Sequence, residues 1–192
     1  MPLSSRYLHT ESRDGKDVVT LILANGERYV GGLRDMARHG VGWNEWEDGS
    51  AYTGTFVNDV PCGKGVLTFV NGNVFSGIFQ DGVCKGNADV TYSNGSVYCG
   101  SIKYYARCGF GYMQYARSDE TSETKHEEGS ERSYRGWWKS DKPHGVGTME
   151  YDMNKSYTGQ WRNGIRCGMG TFIDSEIKQT MHGIWLDNVL LP

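Results

Sequence analysis

The sequence predicts an all-β fold: an elongated single-layer antiparallel sheet of consecutive β-hairpins, curled into a trough. Three observations predict it. An aromatic residue followed two positions later by glycine recurs as Tyr29/Gly31, Tyr52/Gly54, Phe75/Gly77, Tyr98/Gly100, Tyr134/Gly136 and Tyr157/Gly159, at intervals of 23, 23, 23, 36 and 23 residues. A second pair of small residues keeps step with the first: Gly40/Gly42, Gly63/Gly65, Gly86/Ala88, Gly109/Gly111, Gly145/Gly147 and Gly168/Gly170. Turn dipeptides close the units at Asp48-Gly49, Asn71-Gly72 and Asn94-Gly95. A fixed period of this size means an array in which each unit buries its apolar face against its neighbours.

The stretch YTGTFVNDVPCGKGVLTFVNG, from Tyr52 to Gly72, shows one unit in full. Tyr52, Gly54 and Phe56 alternate at period two, as do Gly65, Leu67 and Phe69, so each run is a short strand with one apolar face. Asn58-Asp59 joins the two strands and Asn71-Gly72 hands the chain to the next copy, both being turn formers.

Taken in order, residues 1–17 lack periodicity and read as a flexible tail. The array over 18–192 then opens on a half-copy, 18–28, in which Leu21, Leu23 and Asn25-Gly26 match Leu67, Phe69 and Asn71-Gly72. Repeats follow at 29–51, 52–74, 75–97, 98–117, 134–156 and 157–180, and a half-copy at 181–192 ends the chain with Met181, Gly183 and Trp185. Between the fourth and fifth repeats the period is broken by 13 residues. The insertion, 118–133, is acidic and free of aromatics, which reads as a solvated loop bulging from a repeat junction.

The unit resembles the MORN repeat (membrane occupation and recognition nexus), whose signature is Tyr-x-Gly, then His-Gly-x-Gly, then a glycine turn. Two copies carry the whole middle motif, His39-Gly40-Val41-Gly42 and His144-Gly145-Val146-Gly147. The resemblance covers about residues 18 to 189 and is specific for the repeat class. It implies service in cytoskeletal and ciliary assemblies and on motor-protein tails. Some members carry a lysine methyltransferase or phosphoinositide kinase domain, and neither catalytic region fits into a chain already filled by repeats.

Composition narrows the function classes. The 27 glycines are about twice the average share, which the repeat explains. The net charge is −3, and residues 117–132 account for all of it with six acids against three bases, which leaves the repeats neutral. A neutral array gives no long-range attraction to nucleic acid and weakens a membrane-surface role, since anionic lipid is met by clustered Lys and Arg. No stretch approaches the ~20 apolar residues of a membrane helix, and the first 17 residues hold no signal-peptide core, so the expected location is cytoplasmic, on the cytoskeleton or in a cilium or flagellum.

Catalytic, metal and cofactor sites are expected to be none. Cys62, Cys108 and Cys167 occupy the slot that His39 and His144 fill in other copies, so they are positional substitutes rather than a disulfide framework. His39 and His144 lie about four repeats apart and should be distant in a linear array. The Gly-x-Gly pairs belong to hairpins and do not open helices, so they are not nucleotide fingerprints.

The aromatic face is what remains to carry function. Tyr52, Phe56, Phe75, Phe79, Tyr98, Tyr134, Trp138, Tyr157, Trp161 and Trp185 share one face of the sheet. The trough they form is expected to stay partly open and to grip a partner helix or extended segment of a cytoskeletal or ciliary protein. A phosphoinositide or membrane-surface adaptor is the alternative. A glycan or choline-type binder ranks last, because its Trp-Tyr-Tyr clusters and export signal are missing. Bare strands at the ends of the array leave room for dimeric pairing with a second copy.

Overall fold

A computed structural model describes the backbone of residues 5–13, 16–116, 131–151 and 154–192, with side chains from residue 18 onward. These residues form sixteen strands and no helix. They divide into two compact units, 1–93 and 94–192.

The first unit holds β1 (Ser5–Arg13), β2 (Lys16–Leu23), β3 (Arg28–Arg34), β4 (Ala37–Glu45), β5 (Ala51–Val57), β6 (Val60–Thr68), β7 (Val74–Gln80) and β8 (Val83–Thr91). The second holds β9 (Val97–Lys103), β10 (Ala106–Gln114), β11 (Ser133–Lys139), β12 (Lys142–Glu150), β13 (Lys155–Arg162), β14 (Ile165–Asp174), β15 (Gln179–Leu186) and β16 (Val189–Leu190). Within each unit every strand pairs antiparallel with the next in the chain, and the sheet stays open.

Two boundaries differ from the sequence reading. The flexible tail expected over 1–17 contains β1, which pairs with β2 from Ser5↔Leu23 to Arg13↔Lys16. That strand carries no aromatic-glycine pair, so pattern alone did not show it; its pairing is made by the backbone. At the other end, the half-copy 181–192 is a hairpin in which Trp185 faces Leu190. Most of the expected acidic insertion, residues 118–130, lies outside the described residues. On either side of it, Tyr115 N donates to Arg132 O at 2.9 Å, which joins the ends of β10 and β11.

The turns inside the repeats have two residues, and both sit in the left-handed region, as at Asn58 (φ 49°) with Asp59 (φ 70°) and Ser140 (φ 48°) with Asp141 (φ 63°). That is the type I′ geometry whose twist matches paired strands. Non-glycine residues there carry a conformational cost, and a lateral staple offsets it. Arg38 donates from N and Nε to Asp59 Oδ1 at 2.9 and 3.0 Å, and its guanidinium lies over the Phe56 ring at 5.6 Å. Arg107 does the same to Asp141 and Trp138, and Arg166 to Asn188 and Trp185. Where proline fills the arginine slot, at Pro61 and Pro143, no N–H is available. The matching turn residues are then Gly82 and Gly164, whose own N–H groups donate to the proline carbonyls at 3.1 and 2.8 Å. Glycine takes the left-handed conformation without help.

The core lies on one face of each sheet. Gly54 and Gly65 are opposite one another on β5 and β6, and the Tyr52 ring lies over both. A Cβ added to Gly65 would stand 2.5 Å from Tyr52 Cζ. The hydroxyl passes the glycines and donates to Thr55 O at 3.3 Å and Cys62 O at 3.4 Å. Tyr29, Tyr98, Tyr134 and Tyr157 repeat the arrangement with Gly32, Ser101, Trp137 and Gln160 carbonyls.

Gly147→Ala should therefore destabilise the second unit by about 1–3 kcal/mol, since its methyl would meet Tyr134 Cζ at 2.5 Å. Val146→Ala on the exposed face beside it should stay within about 0.5 kcal/mol. Equal denaturation midpoints for the two variants would refute the ring-on-glycine packing. Burial also pushes the Tyr29 and Tyr52 hydroxyls up to about 12, against a backbone hydrogen bond at each and the Arg38 charge beside Tyr29. The folded state holds these protons more tightly than the unfolded chain, so their contribution is complete below about pH 10 and is lost as pH rises towards 12. Melting temperature should hold from pH 7 to 9 and fall between about 10 and 12, in step with tyrosinate absorbance.

Candidate functional site

The ten aromatic residues expected to face a partner are all buried, none more than 4% exposed. Tyr52 meets Phe56 and Phe79 edge-on at 5.1 and 4.8 Å between centroids, and Tyr134 meets Trp138 and Trp161 at 4.9 and 5.6 Å. Tyr157 is held likewise by Trp161 and Trp185, and Tyr98 by Trp138. Phe75 packs against Phe69 at 5.5 Å. Each indole reaches back one repeat: Trp138, Trp161 and Trp185 donate from Nε1 to the Gly111, Gly147 and Gly170 carbonyls at 3.3, 3.1 and 3.1 Å.

The open aromatic trough is thus corrected to a closed core. The tyrosine rings lie over bare glycine backbone and meet Phe and Trp rings of their own and the next hairpin edge-on, while Leu67, Val90, Met113 and Met149 fill the second strands. Except at Trp185, which lines an open cleft, a partner could touch these rings only by displacing their neighbours.

The candidate chemistry resolves into structure as well. The slot that His39, Cys62, Cys108, His144 and Cys167 share precedes a bulge glycine with positive φ, such as Gly145 at 67°. What the slot contributes at Cys62 is its carbonyl, a tyrosine acceptor. His39 Nδ1 and His144 Nδ1 are buried without a hydrogen-bond partner among the described atoms. Cys84 is a buried thiol held protonated by desolvation. It fills the space over Gly77 that a tyrosine ring tip takes in other repeats. Among the described residues no three His, Cys, Asp or Glu side chains converge.

A polar cluster in the first unit was not foreseen. Asn44, fully buried, stands where other repeats have Leu67, Val90 or Met149. Arg38 Nη1 donates to Asn44 Oδ1 at 2.8 Å and to Glu27 Oε1 at 2.6 Å, besides stapling Asp59. Every member of this cluster holds another, so it reads as a paired core substitution.

The core face opens at the C-terminal end of the second unit, in a cleft of about 560 Å³ lined by Tyr151, Phe172, Trp185 and Leu190. Arg166 crosses it, with its guanidinium 4.7 Å above the Trp185 ring.

The outward face is where large apolar side chains are exposed. In the second unit Phe110 pairs with Trp137, Val146 with Gln160, and Met169 with Ile184. The Phe110 and Trp137 rings meet edge-on at 6.2 Å. Phe110, Trp137, Val146, Met169 and Ile184 are each 49–58% exposed and form one row across β10–β15, broken only at Gln160. In the first unit the same row reads Val41, Thr55, Lys64, Ile78 and Asn87, which is mixed. The signal was present in the sequence: the residue between the two glycines of Gly-x-Gly is Phe110, Val146 and Met169 in the later copies. A reading that sorted one face as apolar passed over it.

The MORN repeat family model matches residues 52–74, 75–97, 134–155 and 157–175. No curated protein matches the chain. Among solved structures, the TCP domain of SAS-4 (dCPAP) of Drosophila melanogaster, in complex with a proline-rich motif of Ana2 (dSTIL), is 12% identical over 89% of this chain and 73% of its own, at a TM-score of 0.35. The wild-type TCP10 domain of Danio rerio CPAP is 15% identical over 93% of this chain and 95% of its own, at a TM-score of 0.31. Likeness at that level extends to neither partner nor function. The four matched segments fall on the hairpins β5–β6, β7–β8, β11–β12 and β13–β14, and these four hairpins are MORN repeats.

Proposed function

We propose that this chain is a non-enzymatic protein-interaction scaffold that binds a helix or extended segment of a partner protein. The observation that carries the reading is the division of labour between the two faces. The aromatic face is consumed by the fold, whereas the outward face of the second unit presents a row of five large apolar side chains, interrupted only at Gln160, to solvent. Such a row serves no packing role inside the unit, and exposed contiguous apolar surface is characteristic of a binding site. The setting suggested by the repeat class is a cytoskeletal, ciliary or flagellar assembly.

The reading is tested with a photo-cross-linking residue placed at Val66 or Thr148, both on outward faces, in the tagged full chain expressed in its own cells. A protein partner recovered in near-stoichiometric amount from either position is the expected result. Cross-links to lipid alone, or none from both positions, would overturn it.

Trp161→Ala should lower stability by about 3–5 kcal/mol, because it opens a cavity and removes a buried hydrogen bond to Gly147 O. Partner capture should then fall only in parallel with unfolding. Capture lost while the melting curve is unchanged would mean that the buried rings touch the partner after all.

A further inference from the structure

The apolar row of the second unit has margins of different chemistry. Beside it, towards the hairpin turns, the outward positions are Lys103 on β9, Lys139 on β11, Lys142 on β12 and Arg162 on β13, all exposed. Among the described residues, no ion pair involves Lys139, Lys142 or Arg162. On the other margin Tyr112 pairs with Arg135, and Thr148 with Thr158. Glu150 is the one carboxylate on the outward face of these strands, and it accepts from Ser133 Oγ at 2.8 Å. The row is therefore an apolar line with an uncompensated cationic bank on one side and a hydroxyl-rich bank with one arginine on the other.

The row also has a direction and a length. It runs across the strands, and six strands at about 4.8 Å spacing extend about 24 Å. The backbone groups of these strands are used by their neighbours in the sheet, so a segment lying on the face is held by side chains, not by strand addition. A helix rises about 5.4 Å per turn, close to the strand spacing, so that one apolar residue per turn meets one strand of the row, and 24 Å corresponds to about 16 residues. The two unlike banks suit the two unlike flanks of such a helix.

We propose that this outward face docks an amphipathic helix of about 16 residues from a partner protein, apolar along its contact stripe and carrying Asp or Glu on the flank over Lys103, Lys139, Lys142 and Arg162. The proposal rests on the scaffold reading and gives it a surface and a partner chemistry. Phe110, Trp137, Val146, Met169 and Ile184 supply the anchoring contacts, with the aromatic pair as the centre of binding energy. The cations orient the helix and make its association sensitive to salt.

The test uses the full chain and three probes. One is a helical peptide with Leu at i, i+4, i+7 and i+11 and Glu along one flank; another is the same peptide with Lys on that flank; the third is vesicles of phosphatidylcholine with phosphatidylserine. Fluorescence anisotropy should show saturable binding of the Glu peptide only, weakening with added salt. The pair Trp137→Ser with Met169→Ser, and separately Lys139→Glu with Lys142→Glu, should each weaken it by about tenfold. Both pairs are exposed, and their melting curves should match that of the parent chain. Equal binding of the Glu and Lys peptides, or Glu-peptide binding unmoved by both variants, overturns the proposal. Vesicle binding without peptide binding also overturns it and assigns the row to a lipid surface. The scaffold reading is separated by cross-linking from Thr148. If Trp137→Ser with Met169→Ser leaves capture of the cellular partner intact, the scaffold stands and this surface does not; if capture is absent from the parent chain, the scaffold reading itself fails.

Discussion

The structure depends on one contact: a tyrosine ring laid flat across two glycines on neighbouring strands. Tyr52 over Gly54 and Gly65 shows what it requires. The glycines must be opposite each other in register, which fixes the hairpin, and neither can carry a Cβ. The ring replaces the side chains that a second layer would otherwise supply, so a single sheet acquires a core. With the hydroxyl donating to a carbonyl three residues on, the ring is satisfied at both its apolar body and its polar tip. Successive rings then meet edge to face, and the core becomes continuous within each unit without any strand leaving chain order.

That constraint explains which substitutions travel together. The third repeat has Phe75 in place of tyrosine, and two more positions change with it. Ala88 stands where a glycine was due, and Cys84 stands where other copies have Arg or Pro. With no tyrosine tip over the backbone there is room for the alanine methyl, and Cys84 Sγ covers Gly77. The arginine staple shows the same coupling. Arg38, Arg107 and Arg166 are matched by Asp59, Asp141 and Asn188, whereas Pro61 and Pro143 are matched by Gly82 and Gly164. At these five junctions the second left-handed turn residue is either glycine or one whose side chain accepts from the neighbouring arginine. Asn44 follows the rule in the core, where it is admitted with Arg38 and Glu27 together.

This coupling also sets what could be read without the structure. The hairpins, their order, the turns and the aromatic-glycine face followed from period and register, because each is dictated by residues close in sequence. The strand β1 did not, since its pairing with β2 is a backbone matter with no aromatic mark. The fate of the aromatic face was misread for a different reason. Alternation says which residues share a face, but not whether the rings lie flat and close it or stand up and leave it open. That is decided by ring orientation over Gly65 or Gly147 and by the indole bonds of Trp138, Trp161 and Trp185, which link residues 14 to 27 positions apart. The outward row was missed because its members are dispersed, one per strand, and become contiguous only when the strands are paired.

The outward row is informative because the fold does not require it. The first unit builds the same tyrosine-over-glycine core with Thr55, Lys64 and Asn87 at the corresponding positions. Those residues show that the hairpin tolerates polar side chains there. Five exposed apolar residues, two of them aromatic, carry an aggregation risk that polar residues at the same sites would avoid. Nor does the bulge at Gly145 account for them, because the first unit has the same bulge at Gly63 with a lysine beside it. Packing, register and turn geometry are all satisfied without this row. On the proposed reading, what selects it is contact with something outside the sheet, and the uncompensated cations along one bank limit what that something can be.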